Sequence, residues 1–112
     1  MNKVISRENI LDELRKITPL LSKKYGVTKL GIFGSYARDQ ASEESDVDIV
    51  YQIAKPNLFI TVHIKEELEH ALKMPVDLIR YREGMNPFIK KRIDIEGIYV
   101  RAGSLLYIMN DL

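Results

Sequence analysis

Two aspartates separated by one residue are the most informative feature of this sequence. Asp46 and Asp48 open a mostly apolar run that predicts a β-strand. Side chains at positions i and i+2 of a strand point to the same face of the sheet, so the two carboxylates should lie side by side. Such a pair is unfavourable unless a cation neutralises it. A hard divalent ion such as Mg²⁺, which prefers oxygen ligands, is the natural partner, and the spacing therefore predicts a metal site.

A second feature, Gly34-Ser35, follows the short apolar stretch Thr28 to Phe33 and predicts a tight turn at the end of a strand. Glycine lets the backbone approach a phosphate closely, and consecutive amides at a helix N-terminus form an anion site. A third carboxylate, Asp77, lies within the apolar stretch Pro75 to Arg80, another predicted strand. If that strand pairs beside the Asp46–Asp48 strand, three acids converge opposite a phosphate-binding turn.

These segments together resemble a known family. The run Gly34-Ser35-Tyr36-Ala37-Arg38, then Ser45-Asp46-Val47-Asp48 and later Val76-Asp77-Leu78, is similar to the DNA polymerase β-type nucleotidyltransferase superfamily, whose hallmark is GS, then DxD and a third Asp. The segment GSYAR is similar to the corresponding segment of the minimal nucleotidyltransferase (MNT) branch, whose members are the antitoxin partners of HEPN toxins. The resemblance is strong from Leu30 to Asp77 and weaker over the first helix and the Asn86-Pro87-Phe88 helix.

The resemblance implies roles for each part of the motif. Asp46 and Asp48 would bridge two Mg²⁺ ions, and Asp77 would complete the metal set and orient or deprotonate an incoming hydroxyl. Gly34 and Ser35 would hold the β- and γ-phosphates of ATP. The implied fold is the α/β (α+β) nucleotidyltransferase palm, a mixed sheet with helices packed on it. The implied activity is Mg-dependent transfer of AMP from ATP to a tyrosine hydroxyl of a cognate HEPN toxin, with release of pyrophosphate.

Two positions leave alternatives open. Arg38 either offsets triphosphate charge or forms a structural ion pair. Asp39 stands where family members commonly have glycine; aspartate tolerates the left-handed conformation, yet it adds negative charge near the phosphate site. One alternative function is therefore an antitoxin that neutralises its toxin by binding alone. Another is a transferase for a small, aminoglycoside-like molecule, with a helical partner chain completing the pocket.

The elements that must position these residues follow from hydrophobic periodicity and capping signals. Ser6 as N-cap and Gly26 as the stop predict a helix between them. Pro19 lies inside this helix and should kink it, or change its hydrogen-bond partners, near Thr18. Asn86-Pro87 opens another helix, which Gly97 closes after about Ile95. The remaining predictions are a polar stretch beginning with a helical turn over 36–44, strands over 28–33, 47–53 and 75–80, and a helix over 58–73. The runs 98–100 and 105–109 predict a hairpin, although periodicity alone leaves a helix open for the second run.

Composition sets limits on the class of protein. The 112 residues fit a single domain, 1–112, and 46% apolar residues suffice for one core. A net charge of +1 argues against stable nucleic-acid binding, and the absence of cysteine and of a long apolar run predicts a cytoplasmic protein without a membrane span. His63 and His70 predict a solvated helix face rather than a metal site. Leu105 to Met109 is the first candidate for a partner-facing apolar patch.

Overall fold

A five-stranded mixed sheet with helices on both faces forms the framework. The computed structural model describes residues 5–100 and the backbone of 107–109. The elements in chain order are α1 (Arg7–Tyr25), β1 (Val27–Phe33), α2 (Gly34–Ala37), β2 (Val47–Ile53), α3 (Leu58–Leu72), β3 (Val76–Arg80), α4 (Pro87–Glu96), β4 (Ile98–Val100) and β5 (Tyr107–Met109).

The strands lie in the order β3-β2-β1-β4-β5. Strands β2 and β3 are parallel and connected by α3, whereas the other neighbouring pairs are antiparallel. Because β1 runs opposite to β2 and β3, the end of β1 meets the beginnings of β2 and β3 at one edge of the sheet. This topology brings the glycine turn and the acidic residues, which are far apart in sequence, to the same place.

Each long helix begins at a polar cap. The Ser6 hydroxyl accepts a hydrogen bond from the Asn9 amide at 3.1 Å, and Asn57 and Asn86 cap α3 and α4 in the same way. The first helix continues through Pro19 without interruption. The buried Thr18 hydroxyl there donates to the Leu14 carbonyl at 2.6 Å, which adds a side-chain contact where proline lacks an amide.

Apolar side chains pack on both faces of the sheet. On one face, α1 and α3 cover β1 and β2 through fully buried residues such as Leu14, Ile32, Ile49, Ile64 and Leu68. On the other face, a smaller cluster contains Phe33, Val50, Met85, Ile93 and Tyr99, which packs α4 against the sheet. Side chains alternate along β2, so Asp48 faces the same side as Val50, which is the side that α4 covers.

The mixed α/β fold predicted from the sequence is confirmed. The helix predicted over 58–73 ends one residue earlier, because Lys73 adopts the left-handed conformation (φ 57°) and forms the C-cap. The predicted hairpin is confirmed for β4 and β5, whereas Leu105 and Leu106 lie outside the described residues. None of the described helices is long and apolar enough to cross a bilayer.

Candidate active site

The candidate site lies where the end of β1 meets the beginnings of β2 and β3. The pairing register sets Phe33 opposite Asp48, and Asp48 beside Asp77 on the parallel neighbouring strand. Residues paired in adjacent strands point to the same face, and neighbouring strands are about 4.8 Å apart. The register therefore sets the carboxylates of Asp48 and Asp77 side by side. Phe33, which pairs with Asp48, directly precedes Gly34, so the turn lies next to these carboxylates.

Asp48 is the carboxylate most affected by this arrangement. The pKa of Asp48 is raised from its ordinary 3.8 to about 6, first by burial and then by the negative charges of Asp77 and Asp46, against the opposing charges of Arg92 and Arg38. The ionised form is thus held in a partly desolvated place next to like charge. Such a group gains more than an exposed carboxylate from a nearby cation.

Gly34 lies directly against this carboxylate. Its φ of 74° is in the left-handed region, which glycine adopts without strain. A Cβ atom at this position would lie 2.1 Å from Oδ2 of Asp48, so a larger residue would collide with the carboxylate. The turn thus requires glycine for its backbone conformation and for its close approach to Asp48.

A cavity of about 340 Å³ opens beside this turn. Its lining contains the turn, two carboxylates, two arginines and apolar side chains: Phe33, Gly34, Ser35, Arg38, Asp48, Asp77, Ile79, Ile89 and Arg92. The size and the mixture of hydroxyl, carboxylate and guanidinium groups suit a small anionic ligand with an associated cation.

Asp46 is placed differently from the other two aspartates. It precedes the first residue of β2, is exposed and does not line the cavity, although its charge acts on Asp48. Within the described part of the chain, no group of three or more acidic or histidine side chains is close enough to hold a metal ion. Asp48 and Asp77 are therefore brought together, and the three acids are not gathered into one cluster.

Arg38 forms a structural ion pair, one of its two predicted roles. Its guanidinium Nη1 donates to both carboxylate oxygens of Glu96, at 2.9 and 3.1 Å. The same carboxylate accepts a hydrogen bond from the Gly34 amide. Glu96, at the end of α4, therefore binds both Arg38 and the glycine turn, although it follows Gly34 by 62 residues in the sequence.

Asp39 adopts the left-handed conformation, with φ of 61°. This is a conformation that glycine adopts readily, so the turn predicted to tolerate aspartate does form. The Asp39 amide donates to the Tyr36 carbonyl at 3.1 Å, and the Gln40 amide donates to the Ser35 carbonyl at 2.8 Å. The chain leaves α2 through these bonds, and Asp39 does not line the cavity.

Sequence reasoning missed two residues of the site. Neither Arg92 nor Glu96 was among the site residues predicted from the sequence. Both lie on α4, four residues apart and thus on one face of the helix. That spacing was visible in the sequence, but only the packing of α4 against β1 shows that this face borders the glycine turn.

The other feature weighed in the sequence, the face of α3 with His63 and His70, has structural partners. Glu67, which lies between the two histidines, accepts hydrogen bonds from the Lys24 ammonium at 2.9 Å and from the Tyr25 hydroxyl. Both bonds lower the pKa of Glu67 and favour its ionised form. Both histidines are exposed. This face connects α1 to α3.

Comparison with known proteins identifies the family. Residues 15–102 match the family "Polymerase beta, Nucleotidyltransferase". The "Putative protein adenylyltransferase MJ1379" of Methanocaldococcus jannaschii is 39% identical over 94 residues, which cover 81% of this chain and 94% of that protein. The "Protein adenylyltransferase MntA" of Thermococcus cleftensis is 37% identical over 81 residues, covering 71% and 81%. The chain belongs to the polymerase β-type nucleotidyltransferase family.

Solved structures share the fold. A structure described as a "putative minimal nucleotidyltransferase" superimposes with a TM-score of 0.69 and 26% identity, covering 86% of this chain and 97% of that chain. A toxin–antitoxin structure with AMP-PNP (TM-score 0.64, 20% identity, 88% and 74% covered) matches in fold. So does a complex of tri-AMPylated Shewanella oneidensis HEPN toxin with MNT antitoxin (0.61, 18%, 86% and 72%).

Proposed function

We propose that this chain is an antitoxin that transfers AMP from ATP to a tyrosine hydroxyl of a cognate HEPN-type toxin. The observation that carries the proposal is the register that sets Asp48 beside Asp77, directly against the Gly34 turn. The relatives named protein adenylyltransferase support the reaction, and the toxin–antitoxin complexes of the same fold support the partner.

The donor set fits Mg²⁺. Carboxylate oxygens are the ligands that this ion prefers, and the charge at Asp48 is held beside like charge in a partly buried place. In the proposed site Asp46, Asp48 and Asp77 would hold two ions. When bound, the ions supply charge neutralisation for an in-line displacement at the α-phosphate.

The protein's own groups position the reactants. The Ser35 hydroxyl and the turn that begins at Gly34 bind the β- and γ-phosphates, because a hydroxyl and helix N-terminal amides are anion donors, while the Gly34 amide itself stays bonded to Glu96. Asp77 orients the tyrosine hydroxyl and takes its proton. The tyrosine oxygen forms a bond to the α-phosphorus, the bond from the α-phosphorus to the bridging oxygen breaks, and pyrophosphate leaves with that electron pair.

The cellular location and the partner surface stay predictions. We propose a cytoplasmic location, with which a sequence without cysteine agrees. The predicted partner surface at Leu105 to Met109 stays a prediction, because those side chains lie outside the described residues.

Labelled ATP tests the proposal directly. The chain is incubated with Mg²⁺, the HEPN-type protein encoded beside it and ATP labelled at the α- or the γ-phosphate. We expect α-label on the partner, γ-label in pyrophosphate, and no transfer with Asp48→Asn or Asp77→Asn. Glu43→Gln, which removes a charge from an exposed loop residue outside the cavity, is the matched control.

Other outcomes favour the alternatives. Stoichiometric neutralisation of the toxin by the wild type and by Asp48→Asn alike, without label on the toxin in either case, would indicate an antitoxin that acts by binding. A labelled small molecule without labelled protein would indicate the small-molecule transferase. Either result contradicts the proposed reaction.

A further inference from the structure

One face of α4 borders the cavity and the glycine turn beside it. Ile89 and Arg92 line the cavity, and Glu96, one turn further on, binds the glycine turn. Residues three, four and seven positions apart share a helix face, so these three side chains form one stripe. The stripe carries two charged groups whose roles differ.

Arg38, the arginine expected from sequence to meet phosphates, is already engaged. Glu96 holds it through both carboxylate oxygens, and its Nε also donates to the Gln40 side chain at 3.3 Å. Only 17% of the Glu96 side chain is exposed, so the carboxylate depends on Arg38 and the Gly34 amide for compensation. Moving Arg38 onto a ligand would leave this carboxylate short of a partner.

Arg92 is in the opposite situation. Its side chain is exposed and lines the cavity, yet it forms no hydrogen bond or ion pair with any residue of the part described, 5–100. It shares the cavity with Ser35, at the glycine turn, and with Asp77. A guanidinium with five unengaged donors suits a bidentate contact with phosphate oxygens.

We infer that Arg92, rather than Arg38, is the cation that binds the polyphosphate of the nucleotide, while Glu96 and Arg38 together position the Gly34 turn. The inference rests on the proposed nucleotide site and assigns to α4 a substrate-binding role. Arg92 is a binding residue, and Glu96 is a positioning residue.

Calorimetric titration with ATP and with inorganic tripolyphosphate, in Mg²⁺, tests this assignment. Losing a charge-assisted contact predicts about 10- to 100-fold weaker binding of both ligands by Arg92→Gln, with part of the affinity restored in Arg92→Lys. Binding of AMP, which lacks the β- and γ-phosphates, should change much less. Lys91→Gln removes the same charge from the next, exposed residue of α4 and should bind as the wild type does.

Arg38→Gln separates the two arginines. We expect it to lower the denaturation midpoint while weakening tripolyphosphate binding less than Arg92→Gln does. Arg92→Gln binding tripolyphosphate as tightly as Lys91→Gln would overturn the inference, as would a larger loss from Arg38→Gln. Binding is read without turnover, so a wild type that binds ATP through Arg92 but labels no protein would refute the proposed function and leave this assignment standing.

Discussion

Replacing the Asp48 carboxylate by an amide is expected to stabilise the metal-free protein at neutral pH while abolishing nucleotidyl transfer. The structure holds this carboxylate in a partly buried place beside Asp77, and its pKa rises from 3.8 to about 6. At pH 7 the native state must therefore keep a charge that the unfolded chain accommodates more easily in water. Asparagine has nearly the same shape and carries no charge.

The size and pH window of this gain follow from the pKa. A rise from 3.8 to about 6 corresponds to about 3 kcal/mol if fully expressed, and screening by solvent at the partly exposed carboxylate reduces it to about 1 to 2 kcal/mol. Between pH 4 and 6 the native state binds more protons than the unfolded chain, so wild-type stability from this group falls as pH rises. The advantage of Asp48→Asn should be near zero at pH 4 and complete by pH 7.

Urea denaturation in EDTA at pH 4, 5, 6 and 7 measures this difference. Subtracting the wild-type from the Asp48→Asn unfolding free energy at each pH removes the titration of the acids that do not interact with Asp48. Glu43→Gln, at an exposed loop residue, should show no comparable trend. A lower free energy of unfolding for Asp48→Asn at pH 7, or a gain that does not change with pH, would refute the claim that the folded site disfavours the ionised Asp48 carboxylate.

Three further variants test other parts of the account. Gly34→Ala should lower the free energy of unfolding by about 1 to 3 kcal/mol and abolish transfer, because the new Cβ would collide with Asp48 and the backbone φ is 74°. Urea denaturation and the transfer assay measure the two effects, and wild-type values in both would contradict the geometry. Glu96→Gln should lower the free energy of unfolding by about 1 to 2 kcal/mol, because it weakens the bonds to Arg38 and Gly34. Urea denaturation measures this loss, and an unchanged midpoint would contradict it. Leu68→Ala, at a fully buried position, should cost about 2 to 5 kcal/mol on thermal or urea unfolding, and a loss under 1 kcal/mol would place Leu68 outside the core.

Sequence reasoning was most successful where local chemistry decides the structure. The caps at Ser6 and Asn86, the glycine stop at Gly26 and the alternation through Val47 to Ile53 located most elements, since each signal acts within a few residues. The pairing of Asp48 with Asp77 was predicted only conditionally, because it depends on which strands become neighbours.

The missing part of the site depends on contacts distant in sequence. Nothing near Arg38 indicates that Glu96, 58 residues later, takes up its charge, and nothing near Arg92 places it in the cavity of Gly34. Both facts follow from the packing of α4 on the sheet face that carries Asp48. Residue type and spacing found the acids and the turn, whereas the assignment of the arginines needed the tertiary structure.

Intact mass spectrometry of the partner tests the central claim most directly. The HEPN-type protein proposed as the partner would be purified after co-expression with the wild type, with Asp48→Asn and with Glu43→Gln. We expect the partner to gain the mass of at least one AMP group with the wild type and with Glu43→Gln, and no added mass with Asp48→Asn. An unmodified partner with the wild type, or equal modification with Asp48→Asn, would contradict the claim that this edge of the sheet is a nucleotidyl-transfer site.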